Sequence, residues 1–534
     1  VSVKRTTISL LATATALAAI TAVASLTAPG AAETTAEAKA PARLPIERSS
    51  LLCPAPSGSD VAETRYTAFT PPALSGPGSR STESGGTGEK GELGETGKAG
   101  ESGGARPTAG LRPSVSGQSE RRVEPGQSRP DPRAAGKPVV PLTEPGTPVS
   151  AEESAPDAPA LVGTATGRLA PGWTAQQTTV VAAGATRGAL GLSCTPPETD
   201  LWIPGASTAK ERQDYVHLTN PDDSPAVVDI EMFGANGELR TTLTEGIPVP
   251  ARAGLPILLS TLTADVAPDV TVHVSTRSGR IGAAVRVGEA ETGSDWLTGA
   301  ARPAATAVLP GIPADATSVR LVAYAPGAHD AELKVELAGP EGRIVPAGSE
   351  SLHVKAGMTA SIDLGDVTRG EPGSLIVSPE EGARATPVVA ALRIVRGEGD
   401  EREIAFIPAT VPVGERATVA DNRAKGSTLS LTAPEKEARV RVTASAGTEG
   451  GAPVTKTYTV RARTTLAFPV PVPAGVKGSF ALTVRTESGG PVHAARTLEL
   501  PENGVEMFTV QPLQDDRGTV AVPKAQPDMS VLED

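Results

Sequence analysis

The chain has 534 residues, 57 of them Gly and 50 Pro, a net charge of −12 and only 2% aromatic side chains. That length is more than one hydrophobic core serves and leaves room for three or four domains. The mildly acidic balance, without a basic stripe, argues against nucleic-acid binding by phosphate neutralisation.

At the N-terminus, Lys4 and Arg5 precede an uncharged run carrying Leu10, Leu11, Leu17, Ile20, Val23 and Leu26, followed by small residues at Gly30-Ala31-Ala32. Positive, apolar, then small is the order of a secretory signal. Residues 1–32 are therefore read as a signal peptide or signal anchor, and everything after them as extracytoplasmic, secreted or held by this segment. In an exported chain the two cysteines, Cys53 and Cys194, are expected to form a disulfide.

Residues 33–72 contain two strand-like pieces, Ser50–Cys53 and Arg65–Phe69, expected to pair with the first β domain. Residues 73–159 are rich in Gly, Pro, Ser and Glu and poor in aromatic and β-branched residues, so a disordered insertion is expected there. Within it glycine recurs at every third position from Gly85 to Gly103, a collagen-like spacing too short and too poor in proline for a triple helix. The piece before this tract and Leu190–Cys194 after it are expected to lie in one sheet, stapled by the disulfide.

From residue 200 the sequence repeats with a period of about 105 residues. Leu201-Trp-Ile-Pro204, Val308-Leu-Pro310 and Phe406-Ile-Pro408 are read as the openings of three units. Tyr215–Leu218 and Val228–Met232 correspond to Val319–Val322 and Leu333–Leu337, and to Leu429–Leu431 and Val440–Val442. Later, Val270–Val274, Leu375–Val377 and Phe480–Val484 are followed by turns at Gly279, Gly382 and Gly489. Then come Ala283–Arg286, Ala390–Arg393 and Ala494–Arg496, with Trp296, Phe406 and Phe508 a little further on. Alternation at period two, broken by Gly and Pro, predicts an all-β chain of tandem immunoglobulin-like β-sandwiches at 160–300, 301–408 and 409–513, with a flexible tail at 514–534.

No catalytic, cofactor-binding or metal-binding residue emerges. Gly86-Thr-Gly88-Glu-Lys-Gly91 and Gly100-Glu-Ser102-Gly-Gly104 match dinucleotide and nucleophile motifs, but without the strand-to-helix context that such chemistry needs. The five histidines are scattered, with His217 and His273 on outward-facing strand positions expected at the surface. Trp202 and Trp296 are candidate glycan or partner contacts; against that, bulky residues at matching points of later units favour plugs at the sandwich ends. Arg286, Arg393 and Arg496 face outward, as solubilising residues do.

The basic-then-apolar start, Arg48-Ser-Ser-Leu-Leu-Cys-Pro54, Leu192-Ser-Cys-Thr-Pro196, Leu201-Trp-Ile-Pro-Gly205 and Val216-His-Leu-Thr-Asn-Pro221 together resemble an uncharacterised actinobacterial exported family, domain-of-unknown-function family 5719. The resemblance implies no activity and transfers no functional residue. The function expected is a non-enzymatic structural or adaptor role at the cell envelope, with envelope proteins as partners; the alternative is binding of carbohydrate or cell-wall glycan. The membrane enters only through the N-terminal segment, if it stays uncleaved.

Overall fold

Apolar residues at every second position place one face of a strand against a core and leave the other for whatever lies outside. The computed structural model describes residues 42–73, 107–116 and 137–522, apart from 185, 243 and 244, and is built almost wholly of such strands. The expected signal segment and the glycine-every-third stretch lie outside the described residues. The chain divides into two bodies. The smaller one holds all but one residue of each strand in a two-stranded sheet of Ala42–Pro45 and Thr519–Val522.

The larger body, Pro45–Thr519, holds four sandwiches of eight main strands each. The first runs Arg48–Cys53, Ala62–Phe69, Ala109–Pro113, Val140–Leu142, Val149–Glu153, Leu161–Thr166, Thr174–Val181 and Gly188–Ser193. The second runs Asp200–Ala206, Tyr215–Thr219, Ala226–Gly234, Ile247–Val249, Ala253–Leu258, Val270–Ser278, Gly282–Glu289 and Gly293–Thr298. The third opens at Ala307–Ile312 and closes with Val389–Arg396 and Glu403–Pro408; the fourth opens at Ala417–Asn422 and closes with His493–Glu499 and Phe508–Leu513.

All four share one strand order. The first, sixth, third and fourth strands form one sheet in that sequence; the fifth, second, seventh and eighth form the other. An immunoglobulin constant domain instead divides its strands as A-B-E-D against C-F-G. The sandwiches therefore have the expected size and layering with a strand order of their own. The third and fourth strands, and the seventh and eighth, are neighbours in one sheet, while the other connections cross between sheets. Each pair of sheets encloses one core, filled by Val, Leu, Ile and Ala with few rings.

Four expectations change. The sandwich placed at 160–300 is two, because 161–193 completes a sandwich begun at Arg48. Residues 109–153 of the supposedly disordered tract supply three of its strands; Leu111, Val140 and Leu142 are buried in its core and suffice because neighbouring strands supply the rest. Phe406-Ile-Pro408 lies in the last strand of the third sandwich and does not open the fourth. The tail is ordered to Val522: Asp516 forms a buried ion pair with Arg416, and Ile46 N–H donates to the Gly518 carbonyl.

The disulfide is present, with S–S 1.98 Å and Cα–Cα 4.6 Å, but it joins two sheets. Cys53 ends the first strand and Cys194 follows the eighth, which lies in the opposite sheet; only Thr195 pairs back, with Leu52.

The four sandwiches close on one another head to tail. The first strand of the second sandwich packs on the seventh strand of the third, that of the third on the fourth, and that of the fourth on the first. At the remaining seam, Leu52 presses against Gly282 of the second sandwich. The eighth strands meet in the same cyclic order, first to second to third to fourth and back to first. A heterologous contact that repeats and closes makes a ring, here within a single chain.

Candidate functional site

Cyclic packing turns the outward face of each five-two-seven-eight sheet into an interface, and this decides where the sequence candidates lie. Trp296 is only 2% exposed and belongs to the core of the first sandwich, although it sits on the last strand of the second. In the same way Phe406 enters the core of the second sandwich and Phe508 that of the third. At the fourth seam Phe69 packs on Ala420 and Ala481. Trp296 and Phe406 stand opposite Arg286 and Arg393 on the neighbouring strand, whereas Phe508 lies three residues before the equivalent Gln511. These rings are plugs between sandwiches, and Trp296 offers no face to a ligand.

Trp202 is half-buried at the seam between the second and third sandwiches. It stacks on His273 at 3.8 Å and on Tyr324 of the third sandwich at 5.4 Å, and Tyr324 in turn stacks on Phe233 at 4.6 Å. Polar bonds frame this cluster: Thr359 donates to the Phe233 carbonyl at 2.7 Å, and Arg320 pairs with Asp269 at 2.6 Å. His273 Nδ1 lies 2.7 Å from Glu231 and its Nε2 lies 3.4 Å from Asp200, both carboxylates being largely exposed. Trp202 and Trp296 thus lie at different seams and form no common site.

The outward histidines are not surface residues. His217 is buried edge-on against Trp296, and burial pushes its pKa down to about 3. His493 is buried with its Nδ1 2.8 Å from Thr410, and burial lowers it to about 4. Of the recurrent arginines, Arg393 and Arg286 reach across seams, whereas Arg496 bonds within its own sandwich. Arg393 reaches Glu289 of the preceding sandwich at 2.5 Å; Arg496 is fully buried and donates to the Asp421 carbonyl and to Gln511; Arg286 lies over the Tyr215 ring.

At the centre of the ring stands a residue that the sequence did not single out. Asp295, on the last strand of the second sandwich, is completely buried. It accepts from Gly191 N–H of the first sandwich at 3.2 Å and from Thr509 Oγ1 of the fourth at 3.2 Å. One carboxylate of the second sandwich therefore bonds to the first and the fourth, on a strand that packs against the eighth strand of the third. Burial holds its pKa well above the usual carboxylate range despite these donors. Beside it, Arg187 of the first sandwich spans to Glu403 of the third at 3.0 Å and to two carbonyls nearby; burial raises Glu403 to about 7. The signal for Asp295 was an acid in a buried eighth strand, visible only once that strand is known to face other sandwiches.

Among the described residues no helix is long and apolar enough to cross a membrane, and no group of three or more His, Cys, Asp or Glu is arranged to hold a metal. The sequence profile of the family of unknown function DUF5719 matches residues 149–471. The chain belongs to that family. The match runs from the fifth strand of the first sandwich into the fifth strand of the fourth, so it covers one strand order three times over. No curated protein and no solved structure matches the chain.

Proposed function

We propose that this DUF5719 protein is an exported, non-catalytic scaffold that presents the loops and outer edges of a rigid ring to other components of the cell envelope. The observation that carries this reading is the cyclic packing of four sandwiches around Asp295. Such closure uses buried groups to fix geometry, as a platform requires and as a flexible tether does not. The Cys53–Cys194 disulfide is compatible with an oxidising compartment, and the basic-then-apolar start supplies a route to it. The test is fractionation of producing cells followed by cross-linking in intact envelopes. The reading expects the oxidised protein outside the cytoplasm, joined to the same few envelope proteins in repeat experiments. Recovery in the cytosol with both thiols free would contradict it.

A second reading, binding of cell-wall carbohydrate, is supported by the half-buried Trp202 beside the exposed carboxylates of Asp200 and Glu231. It expects Trp202→Ala to abolish retention on purified wall glycan while the protein stays folded, and Phe406→Ala, which loosens the same seam away from this face, to leave retention in place. Unchanged retention of the Trp202→Ala protein would remove it.

A further inference from the structure

Between the first and second sandwiches lies a cleft of about 350 Å³, lined by Ser57, Ser59, Thr186, Gln213, Tyr215 and Arg286 among others. That volume is at the lower end of small-molecule sites. The lining carries hydroxyl and amide groups and no carboxylate, with Leu190 and Val287 as its only aliphatic side chains.

Arg286 sets the character of this cleft. Its guanidinium lies 5.4 Å over the Tyr215 ring, and Nη1 donates to the Pro56 carbonyl at 3.3 Å. Among the described residues it has no ion-pair partner and no other hydrogen bond. Of its two counterparts at the other seams, Arg393 has Glu289, whereas Arg496 donates to the Asp421 carbonyl and to Gln511 inside its own sandwich. The repeat shows why Arg286 differs from Arg393. Glu289 stands opposite the first residue of its eighth strand, Gly293; in the first sandwich the same register place, opposite Gly188, holds Val181, which is buried in the core. The seam therefore keeps the arginine, lacks the acid and contains a void instead. A largely buried guanidinium without a counter-charge is costly, and burial draws the pKa of Arg286 below the usual arginine value.

We propose that this cleft binds a hydroxylated organic monocarboxylate of the sugar-acid class, whose carboxylate takes the free edge of Arg286 and whose hydroxyls meet Ser57, Ser59 and Gln213. Planar bidentate pairing is what a guanidinium offers a carboxylate. A single cation, with no lysine or second arginine in the lining, matches one negative charge better than the nearly two of a phosphate. Ser57 and Ser59 already accept backbone N–H bonds, from Ser59 and Val61, which leaves their hydroxyl protons to donate to a ligand. The site does not depend on the scaffold reading, since a ring with no envelope partner would still contain it.

The test is titration of the full-length oxidised protein with glucuronate, glucose, acetate and inorganic phosphate, read by calorimetry. Saturable binding of glucuronate, at least tenfold tighter than any of the other three, is expected. Arg286→Lys keeps the charge but loses the fork and should weaken glucuronate at least tenfold. Ser59→Phe narrows the mouth without touching Arg286 and should do the same with the melting temperature unchanged. Absence of saturable glucuronate binding would overturn the proposal, as would phosphate binding as tightly or glucuronate affinity unchanged in both variants.

Discussion

Asp295 shows how one buried acid commits a large structure. Its donors come from the first and fourth sandwiches, so removing the carboxylate leaves the Gly191 N–H without an acceptor and takes from the Thr509 hydroxyl its carboxylate partner. Each unsatisfied buried donor costs on the order of 1–3 kcal/mol, so Asp295→Ala should lose roughly 2–4 kcal/mol after partial relaxation. Chemical denaturation checks this; a loss below about 1 kcal/mol would deny Asp295 its central place. Gly191 faces the same point: a Cβ there would lie 2.5 Å from Thr509 Cγ2, so only glycine allows the first and fourth sandwiches to approach so closely. The buried titrating groups give a pH signature. His217 and His493 stay neutral when folded, whereas the unfolded chain takes up protons below about 6.5. Their stabilisation is complete above that pH and is lost as the pH falls toward about 4 and then about 3. Glu403, raised to about 7 from 4.5, acts in the opposite sense: its contribution is complete below 4.5 and is lost as the pH rises to about 7. The two effects oppose each other between 4.5 and 6.5; below 4.5 the Glu403 contribution is complete, and the two histidines act against Asp295 alone among these groups, which burial holds above its usual value of 3.8. Melting temperature should therefore drop between pH 4.5 and 3.5, and His217→Gln should make the drop shallower. An equal drop in that variant would assign the effect elsewhere.

At the scale of strands, the eighth strand is the element that matters most. It pairs with the seventh in its own sheet and, in the second, third and fourth sandwiches, inserts a bulky ring into the preceding core. Phe406→Ala removes such a ring from the core of the second sandwich, where Arg212 also lies 5.7 Å over it. The expected cost is roughly 3–5 kcal/mol, read by chemical denaturation; a loss below about 1 kcal/mol would mean that the ring does not bind two sandwiches together. The Cys53–Cys194 disulfide closes a loop of 141 residues and restrains the first sandwich across its long insertions. Replacing both cysteines with Ser should lower stability by up to about 5 kcal/mol in the chain-entropy model. Much of this architecture was legible in the sequence. Val270–Val274, Leu375–Val377 and Phe480–Val484 do occupy the same sixth strand, and Gly279, Gly382 and Gly489 do turn after it with φ near 77°, 79° and 97°. The first sandwich was hidden because stretches such as 74–106 and 117–136 separate its strands, and Ala109–Pro113 and Val140–Leu142 are too short to show periodicity alone. The candidate site was less legible. Period two reports that His217, Trp296 and Arg286 point away from their own core, but not that another sandwich covers them.

At the scale of the whole larger body, function follows from closure. An open string of sandwiches would flex at each linker, whereas a closed ring holds every seam by the other three. Scarce aromatic residues are spent accordingly: Phe69, Trp202, Phe233, Trp296, Tyr324, Phe406 and Phe508 all lie at seams. The decisive seam is the one between the first and fourth sandwiches, which are most distant in sequence. There Gln176 accepts from Ala420 N–H at 2.6 Å, and the hydroxyls of Ser150 and Ser479 stand 3.3 Å apart. The most direct measurement is a disulfide trap on the protein carrying Ser150→Cys and Ser479→Cys, mapped by non-reducing mass spectrometry after oxidation of the folded chain. A closed ring predicts near-complete linkage of residues 150 and 479 alongside the native Cys53–Cys194 bond. Two free thiols at those positions in the folded, oxidised protein would contradict it.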